Sequence, residues 1–289
     1  CDPTIHVVRR AKISKQGDVI KLLRSEPEGQ EFLRSSDINS RFVNTAEGPD
    51  GCLYITDMYR GIIQDAPWLN PESRENIVKN GLDKNIQHGR IWRIRHKDFK
   101  PRSHVKMPKM SQESTLTLLR HLGNASGWWR DTAQREIILR KDAKTVIPQL
   151  TALARFGQDS FERLHALWTL EGLEAVDINL LKFIIQDRDE KLRTAAVQIG
   201  ERYFDKPEAV NLIAKPLAND NSSTVAKQLI LSLGMMSTPV DSVDIIQKAS
   251  RKHSGSLGVQ IAATLSLWGM TDLTFIKDIY AGKAFDPNT

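Results

Sequence analysis

Cysteine is scarce in this chain, and its scarcity excludes several classes of protein. Only Cys1 and Cys52 occur among 289 residues, so the sequence encodes no disulfide-rich scaffold, no cysteine-based zinc module and no iron–sulfur cluster. Neither cysteine begins the Cys-x-x-Cys-His sequence to which a c-type haem is attached. The sequence therefore contains no haem motif.

Glycine, proline and long apolar runs are also limited. The chain has 17 Gly and 12 Pro, too few for a collagen-like or low-complexity protein. No run approaches the about 18 apolar residues that a transmembrane helix needs. Apolar residues make up 40% and charged residues 26%, which is typical of globular proteins, and the length predicts about two domains.

Positive charge exceeds negative charge only in the first third of the chain. Residues 1–110 hold 20 Lys and Arg against 14 Asp and Glu, whereas residues 111–289 hold 21 of each. An anionic ligand or a mildly basic surface accounts for this excess. We expect no nucleic-acid partner, because the sequence has no lysine-rich tract, RNA-binding aromatic motif or helix-turn-helix signature.

The region before residue 97 has the pattern of short strands. The turn Gly48-Pro49-Asp50-Gly51 suits a hairpin, because proline fixes φ at the second turn position and Asp and Gly favour the next two. One helix is predicted, at Glu72–Lys79, within a long polar segment. Five strands are predicted, at Ile5–Arg10, Asp18–Leu23, Arg41–Asn44, Cys52–Asp57 and Arg90–Arg95.

After a proline-containing linker at 97–110, the apolar period becomes helical. An Arg-x-x-Ala pattern recurs at Arg130, Arg163 and Arg193, at intervals of 33 and then 30 residues. Short polar breaks separate the helices, which predicts five helix pairs and a terminal helix at Leu273–Tyr280. Repeats of this length with two helices each predict an α-solenoid over residues 111–289; a plain helical bundle is the alternative.

Residues 1–96 are predicted to be the C-terminal part of a β-propeller. Five short strands with an exposed edge would be marginally stable alone, whereas propeller blades are short four-stranded sheets with Gly and Asp turns. The chain is then expected to be a fragment of a longer protein, and Cys1 an ordinary strand residue of that fragment. The alternative is that Cys1 is the lipid-bearing first residue of a mature bacterial lipoprotein.

Several motifs resemble one bacterial family. The runs at 35–44 (SSDINSRFVN), 47–64 (EGPDGCLYITDMYRGIIQ) and 88–94 (HGRIWRI) resemble the last blades of bacterial membrane-bound dehydrogenase-like propellers. These are relatives of the quinoprotein glucose and sorbosone dehydrogenases. The runs at 127–134 and 165–173 resemble the HEAT-type repeats that follow the propeller in that family. Ser40-Arg41-Phe42-Val43 departs from the family's usual Phe-Arg-Pro-Val, because the arginine is kept and the proline is lost.

The resemblance implies a pyrroloquinoline quinone (PQQ) cofactor with a calcium ion. Arg41 and Arg60 are then the candidate partners of the quinone carboxylates, since arginine binds a carboxylate through two hydrogen bonds. Asp57 is the candidate calcium ligand, and Asp37 and Asn39 are placed at the same mouth of the propeller. The alternatives are surface arginines, a turn-capping Asp57 and an Asx turn at Asp37.

Two functions are consistent with these observations. The first is a part of a quinoprotein-type sugar or polyol dehydrogenase-like protein that passes electrons to a cytochrome. His6 and His88 are the histidines well placed in the strand region, but the catalytic base belongs to an earlier blade in that family, so we assign none. The second is a non-catalytic propeller–solenoid module that binds a protein or glycan partner on the solenoid surface. The first implies a periplasmic or secreted location, with association with a membrane through the parent protein as a further expectation.

Two features of the helical region have a structural and a functional interpretation. His165, beside Ala166, is predicted to be a core histidine. Trp128 and Trp129 are predicted to anchor the solenoid to the propeller, with an aromatic recognition patch as the alternative.

Overall fold

A computed structural model describes residues 1–16, 19–63, 66–99, 109–235 and 240–268. The chain divides into two compact units, which we call the β unit and the helical unit. The β unit consists of Cys1–Ser14, Leu22–Lys109 and Ser126–Trp128, and the helical unit of Lys15–Lys21, Met110–Ala125 and Trp129–Thr289. The predicted order of strands first and helices afterwards is confirmed.

Seven strands are present in the described residues, in three small sheets. Strands β1 and β4 pair antiparallel, β2 pairs with β3, and β5, β6 and β7 form an antiparallel sheet in that order. Their bounds are β1 Val7–Val8, β2 Ala11–Gln16, β3 Val19–Arg24, β4 Leu33–Arg34, β5 Phe42–Glu47, β6 Leu53–Asp57 and β7 Arg90–Ile94. Helix α1, Pro71–Lys79, lies between β6 and β7, where the sequence predicts a helix.

The hairpin between β5 and β6 follows its turn chemistry. The Gly51 amide donates to the Gly48 carbonyl at 2.9 Å, which closes the predicted four-residue turn. Asp50 holds the turn by accepting from the Cys52 amide at 3.1 Å and from the Tyr54 hydroxyl at 3.0 Å. Gly51 has a φ of +74°, a conformation that glycine adopts without steric cost.

Local sequence predicts the sheets of the first 97 residues only in part. Strands β5, β6 and β7 are found where they are predicted, and β3 overlaps the prediction that begins at Asp18, a residue outside the described part. The strand predicted at Ile5–Arg10 shrinks to β1, because His6 adopts a φ of +60° that ends the extended backbone. Strands β2 and β4 were not predicted.

The helical unit begins with short helices and continues with longer ones. Helices α2 and α3 span Thr115–Leu118 and Gly127–Leu139, followed by α4 Ile147–Phe156, α5 Ser160–Gly172, α6 Ile178–Ile184 and α7 Glu190–Gly200. Next come α8 Pro207–Ala209, a π-helical segment Val210–Ala214, α9 Lys215–Leu217, α10 Ser223–Gly234, α11 Val240–Lys252 and α12 Leu257–Leu267. The terminal helix predicted at Leu273–Tyr280 lies outside the described residues.

The longer helices pack side by side in a series along the chain. Helices α5, α7, α10 and α12 each contact the next in that order, and α6 contacts both α4 and α7. The polar breaks predicted from the sequence precede helices. Four of them contain the residue whose side chain caps the following helix: Asp159, Asp189, Ser222 and Ser256. A capping side chain accepts from a backbone amide of the first turn and so fixes where the helix begins.

The repeated Arg-x-x-Ala pattern has a structural basis. Arg130 and Arg193 each donate to two carbonyls of the loop that precedes their own helix. Arg163 and Arg193 also pair with Asp187 and Asp220 of the following repeat. The carbonyl distances are 2.6 and 3.1 Å from Arg130 to Asn124 and Ala125, and 2.8 and 3.1 Å from Arg193 to Asp187 and Arg188.

The small residue of the repeat lies where helices meet. Ala133, Ala166 and Ala196 are each 0% exposed, as close helix packing requires. His165 is an internal hydrogen-bonded histidine: it contacts Gln134 at 2.8 Å and accepts from Arg130 at 3.2 Å. Burial, followed by the Arg130 charge, lowers the pKa of His165.

Candidate functional site

A buried carboxylate, Asp57, is the centre of the polar residues in the β unit. Its side chain is 0% exposed and accepts five hydrogen bonds. The donors are the Arg41 amide at 2.6 Å and the Tyr59 amide at 2.9 Å to Oδ1, and Ser40 Oγ at 3.0 Å, Arg90 Nε at 3.1 Å and Trp92 Nε1 at 3.1 Å to Oδ2. A carboxylate offers about four lone-pair positions, so these donors use its whole accepting capacity. We call these six residues the Asp57 cluster.

Strand register explains why Asp57 lies there. It is the last residue of β6, opposite Phe42 of β5 and Arg90 of β7. Ile55 and Asp57 are both 0% exposed and, two residues apart in a strand, face the same side of the sheet. Ile55 belongs to the small apolar core with Phe42 and Val8, so the alternation that buries Ile55 also buries Asp57.

The hydrogen bonds keep Asp57 ionised. Burial acts to raise the pKa of Asp57, but the bonds from the Arg41 amide, Trp92, the Tyr59 amide and Arg90 together lower it below its usual value. A carboxylate that is buried without partners would become neutral instead. Asp57 is therefore a permanent negative charge at neutral pH that ties three separate segments of the chain to β6.

The Arg41 side chain also forms its hydrogen bonds with other groups of the protein. Its three guanidinium nitrogens donate to backbone carbonyls: Nε to Arg60 at 3.0 Å, Nη1 to Pro3 at 3.0 Å and Nη2 to Gly61 at 2.7 Å. His6 donates from Nδ1 to the Ser40 carbonyl at 2.7 Å, which leaves Nε2 to accept from Arg41 at 3.2 Å. Burial outweighs the charge of Asp57 and lowers the pKa of Arg41.

Arg90 lies between two aromatic rings at the edge of the cluster. Its guanidinium carbon is 3.8 Å from the centre of the Tyr59 ring and 4.7 Å from that of Trp92, distances at which a cation is attracted to a π face. Arg90 also reaches Asp37 at 3.6 Å. Tyr59 adopts a φ of +46°, and its hydroxyl donates to Asp37, which raises the pKa of Tyr59.

Asp37 and Asn39 form the turn that precedes β5. The Asn39 amide donates to Asp37 Oδ1 at 2.9 Å. This hydrogen bond and the one from Tyr59 lower the pKa of Asp37, although burial acts to raise it. The side-chain oxygen of Asn39 is shielded from solvent and has no hydrogen-bond partner in the described residues. The Arg60 side chain is exposed, and no described residue forms an ion pair with it.

The structure therefore connects four of the five residues that the resemblance implies as cofactor ligands: Asp57 binds the Arg41 amide, Arg90 links Asp37 to Asp57, and Asn39 binds Asp37. Arg60 takes part through its backbone carbonyl, which accepts from Arg41 Nε. Ser40, Arg90, Trp92 and His6 complete the arrangement and were not proposed as ligands from the sequence. For Tyr59 the sequence predicts packing between blades, with a hydrogen bond to a ligand as the alternative. The accepting positions of Asp57 and four of the five N–H groups of Arg41 are, however, taken by the protein.

These contacts do not fit a calcium ion at Asp57 or a carboxylate clamp at Arg41. A metal ligand needs a free lone pair, and a bidentate clamp needs two free N–H groups on one face. Among the described residues no group of three His, Cys, Asp or Glu side chains is placed to hold a metal ion. Among the predicted cofactor residues, the exposed Arg60 side chain and the side-chain oxygen of Asn39 keep hydrogen-bonding capacity that no described residue uses.

No helix within the described ranges is both long and apolar enough to cross a lipid bilayer. The model of a domain family of unknown function, DUF7133, matches residues 1–98, about a third of the chain. No curated protein matches the chain. The matched region contains all seven described strands and the whole Asp57 cluster, and the description of the family names no activity.

Proposed function

We propose that this chain is a non-catalytic binding module: the C-terminal part of a β-propeller joined to an α-solenoid of HEAT-like helix pairs that holds a protein partner. The observation that carries the proposal is that the protein itself occupies every accepting position of Asp57 and four of the five N–H groups of Arg41. Hydrogen bonds made within the protein stabilise a fold, whereas a cofactor or substrate requires unused donors and acceptors. The Asp57 cluster accordingly has the role of a structural latch.

The packing of the helices supports the solenoid. Gln198 of α7 and Glu201, which follows α7, bond to Gln228 and Ser232 of α10, and in α10 the space around Gly234 is filled by Ser266 of α12. Both contacts are made near the C-terminal end of one helix with the next helix of the series. Contacts of this nearest-neighbour kind build extended surfaces, and solenoids use such surfaces for binding.

The proposal is tested with the full chain on arrays of peptides and of oligosaccharides. We expect saturable binding that an unlabelled competitor displaces, and we expect hydrogen exchange to slow in the helical unit when the ligand is bound. Absence of saturable binding on both arrays, at ligand concentrations up to about 1 mM, would contradict a binding function.

The convergence of Arg41, Asp57, Arg60, Asp37 and Asn39 favours a second candidate, part of a quinoprotein-type dehydrogenase-like protein. That protein would use PQQ and calcium to oxidise a sugar or polyol and pass electrons to a cytochrome. What supports this candidate is the family resemblance together with the unused Arg60 side chain and the unpartnered Asn39 oxygen.

The second candidate is tested by calorimetric titration of quinone and Ca²⁺ into the chain and into Arg60→Gln. Saturable binding that weakens in the variant would support it. The candidate fails if the wild-type chain takes up no quinone, or if Arg60→Gln binds quinone as the wild type does.

A further inference from the structure

An open groove of about 750 Å³ lies in the helical unit, between α6 and the later helical segment that includes α9. One wall is α6 with the loop after it, and the other is the segment Val210–Ala214 with α9 and its following loop. The volume is within the range of ligand sites, about 300–1,000 Å³. Asn211 and Leu212 of its lining lie in the π-helical segment, a rare conformation that is frequent at functional sites.

The groove has an excess of positive charge. Lys182 and Arg188 line it, both residues are exposed, and no carboxylate of the described residues pairs with either. Asp220 is the acidic residue in the lining, and Arg193 neutralises it through two hydrogen bonds of 2.7 and 2.8 Å. Two uncompensated cations therefore face the groove, which makes it complementary to an anionic ligand.

Amide side chains supply its remaining polarity. Asn211 and Asn219 line the groove, and their side chains bond to no described residue. Gln186 donates to the Lys182 carbonyl at 3.2 Å, and its side-chain oxygen is unused. A carboxamide offers an N–H donor and a C=O acceptor, which are the groups that an extended peptide backbone presents along its edges.

We propose that this groove binds an extended acidic segment of a partner protein. The amides would pair with the peptide backbone, and Lys182 and Arg188 would pair with Asp or Glu side chains of the segment. The inference rests on the proposed binding function and specifies its site and ligand class. A peptide is favoured over an acidic oligosaccharide because Leu212, Ile185 and Leu217 give the lining an aliphatic part, and none of the described lining residues carries an aromatic ring on which a sugar could stack.

The test is fluorescence anisotropy with a labelled six-residue peptide of alternating Glu and Gly, titrated with the full chain. Peptides with Gln or Lys in place of Glu are the ligand controls. The variant is Lys182→Gln/Arg188→Gln, and the matched control is Lys141→Gln/Lys248→Gln, which removes the same charge from exposed positions outside the groove.

We expect the Glu peptide to bind most tightly and the groove variant to lose about 5- to 30-fold in affinity, at roughly 0.5–1 kcal/mol for each exposed ion pair. The control variant should lose less than about threefold. Asn211→Ala keeps the charge and should weaken binding about 2- to 12-fold through one lost hydrogen bond. This single change decides the question if the double variant does not fold.

Different failures have different meanings. If the Gln peptide or an oligogalacturonate binds as well as the Glu peptide, or if the groove variant matches its control, the groove proposal is wrong and a binding function elsewhere survives. If neither peptides nor oligosaccharides bind the wild-type chain, both the groove and the proposed function fail.

Discussion

Replacing Asp57 by Asn tests whether the cluster holds the β unit together. The substitution keeps the size of the side chain but removes the charge and turns one acceptor oxygen into an NH₂ donor. If the remaining oxygen keeps the Arg41 and Tyr59 amides, the new NH₂ group faces the donors of Ser40, Arg90 and Trp92. Three donors that now bond to a buried carboxylate would then point at another donor.

The expected loss of stability follows from the count of broken bonds. Hydrogen bonds to a charged group contribute about 1.5–3 kcal/mol each, and removing one partner of a buried charge pair costs about 3–5 kcal/mol. We expect about 3–5 kcal/mol for Asp57→Asn, because local rearrangement and water recover part of the three lost bonds. That is a large fraction of the roughly 5–15 kcal/mol that stabilises a typical domain.

Hydrogen–deuterium exchange of the full chain measures this loss where it occurs. Amides of β5, β6 and β7 should exchange faster in Asp57→Asn by about two to three and a half orders of magnitude, taking 1.4 kcal/mol per tenfold. Amides of α5 and α7 should be unchanged and serve as an internal reference. The matched control is Asp83→Asn, the same change at an exposed aspartate with no ion pair in the described residues.

An increase of less than about tenfold in the exchange rates of the β5, β6 and β7 amides would refute the latch. It would mean that the five hydrogen bonds to Asp57 contribute little beyond what solvent supplies. A change of equal size in Asp83→Asn would refute it as well, because the effect would then belong to net charge.

Three further outcomes are expected. The pKa of Asp57 is lowered on folding. Its ionised form therefore adds to the free energy of unfolding fully above the unfolded pKa of about 3.9, and this addition is lost as the pH falls through the folded pKa. Urea unfolding at pH 7 and pH 3 should show a larger decrease in the free energy of unfolding for the wild type than for Asp57→Asn. Arg193→Lys should destabilise the helical unit by about 1–3 kcal/mol by thermal unfolding, because an ammonium cannot form the fork to Asp220, and equal stability of the two proteins would contradict that reasoning. Gly61→Ala should destabilise the β unit, because the added Cβ would lie 2.4 Å from Leu82 Cβ, and unchanged exchange of the sheet amides would show that the chain adapts there.

The parts of the fold that local chemistry determines could be predicted from the sequence. The Gly48–Gly51 turn depends on four adjacent residues, and four of the helix starts after a polar break depend on one capping side chain each. The buried alanines of the repeat were likewise evident from spacing. The strand β2 was missed because no sustained alternation of apolar and polar residues marks it. Its one large apolar residue, Ile13, is 72% exposed in the structure.

The candidate site was predicted only as a set of residues. Arg41 and Asp57 were chosen for their side-chain chemistry, and they do lie together. Their partners could not be foreseen, because Arg41 bonds to backbone carbonyls, which every residue carries, and because Arg90 reaches Asp57 only through the pairing of β6 with β7. Long-range strand register therefore decided whether these charges bind a ligand or bind the protein.

The most direct test of the account is one calorimetric comparison on the 289-residue chain. The chain is titrated with the alternating Glu–Gly peptide and, separately, with PQQ in the presence of Ca²⁺. The account predicts saturable peptide binding that weakens in Lys182→Gln/Arg188→Gln, and no quinone binding that depends on Arg60. Quinone binding that is lost in Arg60→Gln, together with no heat from the peptide, would contradict it.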